Sequence, residues 1–421
     1  MQLCIFEGID YERLEPLIFY RPVYDLVCGM STLREKILRA YPETKYSLHC
    51  RPYLTQFVKA NNPEVDVNKI DDSSCLFING NVLASGNIAE IIPLKDSSDK
   101  IYLNGDTLIA ARVSGERLKE LKNNLHELLS QSNFSGLPVE NVDVKYISYM
   151  WDLINNNEKE MLADFNFFFS KINDNKLIKG KIFEGAHLIE KDNIIIADGA
   201  EIKSGAVLDA TKGPIFIDQN AIVFPNAVVE GPVYLGESAQ IKSCARIYEN
   251  VSIGKISKVG GEVEDSIILP YSNKQHSGFL GHAYLGSWVN LGADTNCSDL
   301  KNNYGNVKVY VNGEIVNSGS QFMGIIMGDH SKTAINTMFN TGTSVGFSCN
   351  IFGAGFPGKY IPSFSWGGSD AITTYDLERS IETAKRVMIR RNTTMREVEE
   401  KLFRKVFDIT KKERRKRGYP Y

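Results

Sequence analysis

The segment from Ile217 to Ile253, IDQNAIVFPNAVVEGPVYLGESAQIKSCARIYENVSI, places an aliphatic at every sixth residue: Ile217, Val223, Val229, Leu235, Ile241, Ile247 and Ile253. An α-helix repeats near 3.6 residues and an ordinary strand every two, so neither produces this period. A solenoid of six-residue units does. Each unit is a short strand and a corner, and three units close one triangular coil with the aliphatics inside. Small or turn-forming residues such as Gly236, Ser238, Ala239, Ser243 and Asn250 fall between them. Successive coils then pair through their backbones at the inter-strand distance of about 4.8 Å. A single amphipathic strand followed by loops does not hold one phase through so many units.

The phase extends in both directions. Ile196, Ile202 and Leu208 keep it upstream, with three extra residues around Lys212 to Pro214. Downstream, Val259 continues it, Phe279, Leu285 and Leu291 restore it, and Met327, Thr333, Phe339, Val345 and Ile351 carry it to the end. The interruptions at about 264–276 and 298–324 read as loops leaving the corners. The second contains Val309 to Val316 around Asn312-Gly313, a hairpin signal. Loops on a rigid prism are where a binding site is built.

The chain has 421 residues, 43% hydrophobic and 24% charged, with a net charge of −3. That length accommodates two or three domains. The charge balance gives no reason to expect nucleic acid, and no apolar run reaches membrane-spanning length. The opening Met-Gln-Leu-Cys-Ile-Phe carries no basic and apolar leader, which reads as an unexported, cytoplasmic protein. Seven cysteines without a Cys-x-x-Cys pair suit free thiols in a reducing compartment.

Residues 1–170 read as an α/β domain. Leu3 to Phe6 and Ser74 to Ile78 are strand-like, Thr32 with Glu35 forms a capping box, and Asn104-Gly105 links a hairpin. Helical spacing follows at Leu118 to Leu129 and Tyr149 to Phe165. A linker with Asn173, Asp174, Asn175 and Gly180 leads to the solenoid, assigned to 180–360. Residues 370–421 read as helices starting near Thr373–Asp376 and Thr394–Glu397, covering the last coil. The run Lys411 to Arg417 reads as a solvated tail.

Three histidines, His276, His282 and His330, lie in or beside the interruptions. A zinc site built from them needs ligands from another subunit, because residues six apart lie on neighbouring sides of a prism. The segment Ser272 to Thr295, SNKQHSGFLGHAYLGSWVNLGADT, resembles the acetyltransferase core of the bifunctional bacterial enzymes that make UDP-N-acetylglucosamine. The likeness covers 180–360, running on through Asn303-Tyr304, Lys308 and Gly328-Asp329 to Gly346. The whole chain, with Arg21-Pro22 and the stretch Ser363 to Gly368, is similar to a branch of that family named for sugar nucleotidyltransfer.

The resemblance implies a left-handed parallel β-helix, a homotrimer with sites between neighbours, acetyl-CoA and a sugar-phosphate acceptor. It implies His276 as catalytic base and Asn290, Asn303, Tyr304 and Lys308 as substrate-cleft residues. It also implies a cofactor edge at Ala334, Ile335, Thr337 and Gly353. Two positions depart from the pattern. Phe279 replaces a tyrosine, and Glu264 stands where the family has a lysine.

In the first domain, Glu7-Gly8 is followed by Ile9-Asp10-Tyr11-Glu12-Arg13, not by the family's Gly-rich phosphate loop. Asn79-Gly80-Asn81 occupies the place of a metal-binding Asp. The basic candidates for phosphate are Arg21, Arg34 and Lys36, and Mg²⁺ with a nucleoside triphosphate is implied if this domain is active. The leading expectation is an acetyl-CoA-dependent acyltransferase acting on an amino-sugar phosphate, fused to a sugar-1-phosphate nucleotidyltransferase-like domain. The alternatives are a nucleotidyltransferase whose solenoid serves assembly only, and a non-catalytic binding protein.

Overall fold

The structure, a computed structural model, describes residues 1–84, 86–95, 98–171 and 177–420. The linker residues Asn173, Asp174 and Asn175 lie outside these.

From Lys181 to Gly367 the backbone winds as a left-handed parallel β-helix, the opposite sense to ordinary parallel crossovers. Its first side contains Ile222–Val223, Gln240–Ile241 and Lys258–Val259, its second Val228–Glu230, Arg246–Ile247 and Glu262–Glu264, and its third Val233–Leu235, Val251–Ile253 and Ile267–Ile268. The inward aliphatics stack in register, Val223 on Ile241 and Val229 on Ile247. All seven that define the period are fully buried in one core. The corners turn through left-handed backbone at Asn220, Asn226, Ser238, Cys244 and Asn250, where a short polar side chain can satisfy its neighbours' backbone groups.

The phase through the first interruption differs from the sequence reading. No loop leaves there. The inward residues run Val259, Val263, Ile268, Lys274, Leu280, so two units shrink to four and five residues. Phe279 is displaced by one and faces outward, half-buried, while Leu280 fills the core. The second interruption is the hairpin Lys308–Val311 with Glu314–Asn317.

The first domain is a seven-stranded sheet ordered Asp66–Val67, Tyr46–His49, Gln2–Phe6, Ser74–Asn79, Thr107–Ser114, Lys100–Asn104 and Val139–Asn141. The capping box at Thr32 and Glu35 is formed in both directions. This domain lies against the third side of the prism, whose outward residues Ser252, Ile267, Tyr284 and Ile326 are therefore buried. Across the junction Ser252 Oγ donates to the Gly29 carbonyl at 2.6 Å, and Arg21 pairs with Asp329 at 2.7 Å.

The C-terminal helices Leu377–Ile389 and Glu397–Ile409 do more than close the end. Phe403 packs among Tyr20, Phe347 and Phe364, joining the first domain to the last coils. The strand Ile372–Thr374 pairs antiparallel with Ser365–Gly367 and covers the first side's edge. Asp376 caps the first helix, but the second begins at Glu397, after Arg396 and not Thr394. The basic run is also more than a solvated tail. Arg414 is fully buried and donates to the carbonyls of Ser363 and Phe407.

Glu15 borders a small cavity with Tyr310, Tyr360 and Glu413 where the hairpin and tail meet the first domain. Burial raises its carboxyl to about 7 despite Arg51, with Glu12 and Glu413 adding to the rise. The unfolded chain ionises this group near 4.5, so between there and about 7 the folded state retains a proton the unfolded state has lost. Stability conferred at low pH therefore declines as pH rises through that window. Glu15→Gln should gain thermal stability over the parent from pH 4.5 to 7 and then level off, read by melting curves across that range.

Candidate functional site

Each edge of the prism carries a different set of side chains. His276 is exposed at the corner between the first and second sides. Directly along the same edge come Asp294, Ile335 and Gly353, because each coil repeats the corner. Asp294 N bonds to Ser277 O at 3.1 Å, and Asn336 N to Ala293 O at 2.8 Å. Asn290 joins them from the first side, bridging Asn273 and Lys332, with its Oδ1 accepting from Asn273 Nδ2 at 3.3 Å. His276, Asn290, Ala334, Ile335, Thr337 and Gly353 thus share one edge and its flank. Ile335 is 68% exposed and Phe356 55%, leaving an apolar strip open along it.

Asn303, Tyr304 and Lys308 are not on this edge. They belong to the insertion that leaves between the second and third sides, where Tyr304 is 66% exposed. The same edge holds Glu264, His282 and Asp299, whose potential ligand atoms lie within 4.8 Å of one another. His282 Nδ1 is 2.8 Å from Asp299 Oδ2, and its ring stacks on Phe322. Burial alone would lower its pKa, but Asp299, Asp265 and Glu264 together raise it. His330 occupies the third edge, so the three histidines do not converge within one chain.

Lys274 was missed by the residue-type reading, because the six-residue phase counted back from Phe279 lands on Asn273, and the shift to Leu280 shows only in the fold. It stands where an aliphatic belongs, stacked beside Val259 and 2% exposed. The shortened corner at Gly260-Gly261 leaves room for its ammonium, which donates to the carbonyls of Gly260 and His276, both at 2.9 Å. A side chain at Gly261 would meet Lys274 Nζ at 2.7 Å. The backbone that carries His276 is thus held from inside the prism. Burial lowers the lysine's pKa to about 8, with Asp294 and Glu262 opposing.

The first domain has its own cavity, about 310 Å³, at the carboxyl ends of Gln2–Phe6 and Ser74–Asn79. Ligands of open α/β sheets bind at such ends. Its lining includes Gly8, Asn79, Asn81, Asp106, Ser130 and Ser148. The charged lining is Asp10, Arg13 and Asp106, and Arg13 already pairs with Asp10 at 3.1 Å. Asn79 and Asn81 spend their amide N–H groups on the Leu108 and Ile147 carbonyls. This donor set does not fit a magnesium triphosphate, which wants carboxylates for the metal and cations for the phosphates. It suits a neutral hydroxyl-bearing group, with Asn81 Oδ1 buried and unpartnered.

Arg21, Arg34 and Lys36 line none of this cavity. Arg21 bonds Asp329, Arg34 pairs with Asp25, and Lys36 is buried between Glu160 and Asp164, with Arg39 also on Asp164. Each has a structural partner instead of a phosphate. Removing one member of such a buried set leaves the others uncompensated, at about 3–5 kcal/mol. Lys36→Met should therefore lower unfolding free energy by about that amount in urea titrations. A phosphate-binding lysine would instead leave stability intact.

Residues 3–172 match the family model for sugar nucleotidyl transferase. The bifunctional sugar-1-phosphate nucleotidylyltransferase/acetyltransferase of Sulfurisphaera tokodaii is 23% identical over 398 residues, covering 84% of this chain and 96% of that protein. The bifunctional protein GlmU of Methanocaldococcus jannaschii is 27% identical over 246 residues, 57% of this chain and 51% of the relative. GlmU of Methanococcus aeolicus is 27% identical over 277 residues, 65% and 55% respectively. The chain thus spans about half the length of these two GlmU proteins and nearly all of the Sulfurisphaera protein. A sheet domain and a six-residue prism are joined in the order the resemblance implies, and over most of its length the chain is similar to a bifunctional sugar-1-phosphate nucleotidylyltransferase/acetyltransferase.

Proposed function

We propose that the chain transfers an acyl group from acetyl-CoA to the amine of an amino-sugar phosphate, with His276 as general base. The observation that carries this is the open edge on which His276, Asn290 and the strip from Ala334 to Gly353 align. Acetyl-CoA supplies an activated thioester carbonyl. The His276 imidazole takes the proton from the attacking nitrogen as a general base. Asn290, one coil along, offers an amide for orienting the acceptor. The exposed backbone and apolar side chains from Ala334 to Gly353 hold the carrier along the edge.

Neutral-sugar character in the first-domain cavity supports a sugar-binding role there. Nucleotidyl transfer remains a second reading because the family match at 3–172 lies on this domain. We infer a homotrimer as the working assembly. Asn303, Tyr304 and Lys308 sit on a different edge from His276, so one copy alone does not collect the set. The second side of the prism is left uncovered by the chain's own first domain.

Thiol release from acetyl-CoA in the presence of amino-sugar phosphates tests the first reading, and pyrophosphate release from a triphosphate and a sugar-1-phosphate tests the second. His276→Ala should slow acylation by about 10²–10⁴-fold, while His282→Ala, whose imidazole is already held by Asp299, should leave the rate within a few-fold. Equal losses in both would remove His276 from its role, and a monomer in light scattering would remove the trimer.

Lys274→Met keeps a long apolar stem in the core and removes the bond to the His276 carbonyl. The rate should fall by about 10–100-fold through misplacement of the base, without a lower melting temperature. Unchanged kinetics would make Lys274 a filler of the short corner and nothing more.

A further inference from the structure

The edge between the third and first sides carries large rings at three successive corners, following Asn220, Ser238 and Ile256 at the corners before them. Tyr271, Trp288 and His330 occupy successive corners, each in left-handed backbone at φ 66°, 63° and 62°. Tyr271 and Trp288 stack at 4.2 Å, and Trp288 lies nearly parallel to His330 at 6.1 Å. Such conformations disfavour bulky side chains, so three in succession need a reason beyond forming a corner.

A cavity of about 280 Å³ opens beside this ladder. Its walls come from all three parts of the chain: Tyr20 and Phe57 of the first domain, Trp288 and His330 of the prism, Met388 of the first C-terminal helix and Met395 of the connection to the second. Small-molecule sites favour such junctions, with apolar walls and a few placed polar groups. Here those groups are Asp329 and His330, 1% and 3% exposed. Asp329 Oδ1 is used by Arg21 and by Ser287 N, whereas Asp329 Oδ2 and His330 Nδ1 have no hydrogen-bond partner. Two such atoms on consecutive residues of a buried wall are unusual, because an unsatisfied buried polar group is costly. The charge around the cavity also limits its ligand. Asp25, Asp329 and Glu399 face Arg21 and Lys255, and Arg21 is already committed to Asp329, so an anion is disfavoured.

We propose that this junction binds a neutral planar heteroaromatic base with an exocyclic amine beside a ring nitrogen, the chemistry of an aminopurine or aminopyrimidine nucleoside. The carboxylate oxygen of Asp329 can only accept, and so selects an amine donor on the ligand. His330 meets the adjacent ring nitrogen, and the aromatic wall packs the ring. Burial keeps the imidazole of His330 neutral, with Lys332 and Arg21 acting in the same direction, so it offers one nitrogen as donor and one as acceptor. The volume suffices for a base and part of its sugar. The occupant would touch both the first domain and the prism, independently of the open edge that holds His276.

The test is calorimetric titration of the full-length protein, without acetyl-CoA, using adenosine and inosine. Inosine replaces the amine with a carbonyl oxygen, which Asp329 cannot pair with. Adenosine should bind with one-to-one stoichiometry, inosine at least about tenfold more weakly, the loss of one charged hydrogen bond. Trp288→Leu should abolish adenosine binding. Because that variant alters the ladder, Met395→Trp, which fills the cavity from the helical side, should abolish it too while retaining the parent's melting temperature. No saturable adenosine binding, equal affinity for inosine, or binding that survives both substitutions would overturn the proposal.

Discussion

Each coil of the prism must present its inward side chains directly over those of the coil beneath. Because the strands are parallel and in register, no coil can slip without exposing its own aliphatics and leaving gaps in both neighbours. The stack from Val223 through Ile241 to Val259 shows the constraint at work. Everything outside the core inherits it. A corner residue sits over the previous corner whatever its chemistry, so a property placed at one corner is carried straight up the edge. The third side adds a second constraint, since Tyr284 and Ile326 are buried outward as well, against the first domain.

That inheritance explains how the edges came to differ. Two coils before His276, the corner at Cys244 is still ordinary. The units of four and five residues that follow tighten the prism, open space at Gly260-Gly261 and admit a lysine into the core. Above this point the edge with His276 stays open, the next gains the hairpin, and the third gains its rings and the first domain. The chemistry of each edge is therefore a matter of which outer element covers it.

Much of this was legible in the sequence, and the limits have definite causes. A strict period identifies the residues from Ile217 to Ile253 because six matches one strand and one corner. It fails at Phe279, where shortened units shift the core position to Leu280 without changing composition. It is also blind to which edge a residue occupies once the count is lost; the resemblance alone puts Tyr304 and Lys308 in the substrate cleft, and the fold places them on a different edge of the chain from His276. Charges were misjudged for another reason. In a string of letters Lys36 reads as a phosphate ligand and Arg414 as a solvated cation, and only the fold brings Glu160, Asp164 and the Ser363 carbonyl to them. Hairpins and caps, which depend on neighbours in the chain, were readable at Asn104-Gly105 and Thr32.

The partners of the first domain arrive late in synthesis. Arg21 meets Asp329 across a separation of 308 residues, and Tyr20 meets the backbone of Glu399 across 379. Ribosomes add about 5–20 residues per second, so the apolar face around Leu17 and Ile18 waits about fifteen seconds to a minute for its cover. During that interval the coils, each needing only its predecessor, can assemble one by one, while the nascent first domain has only its own sheet to hold it together.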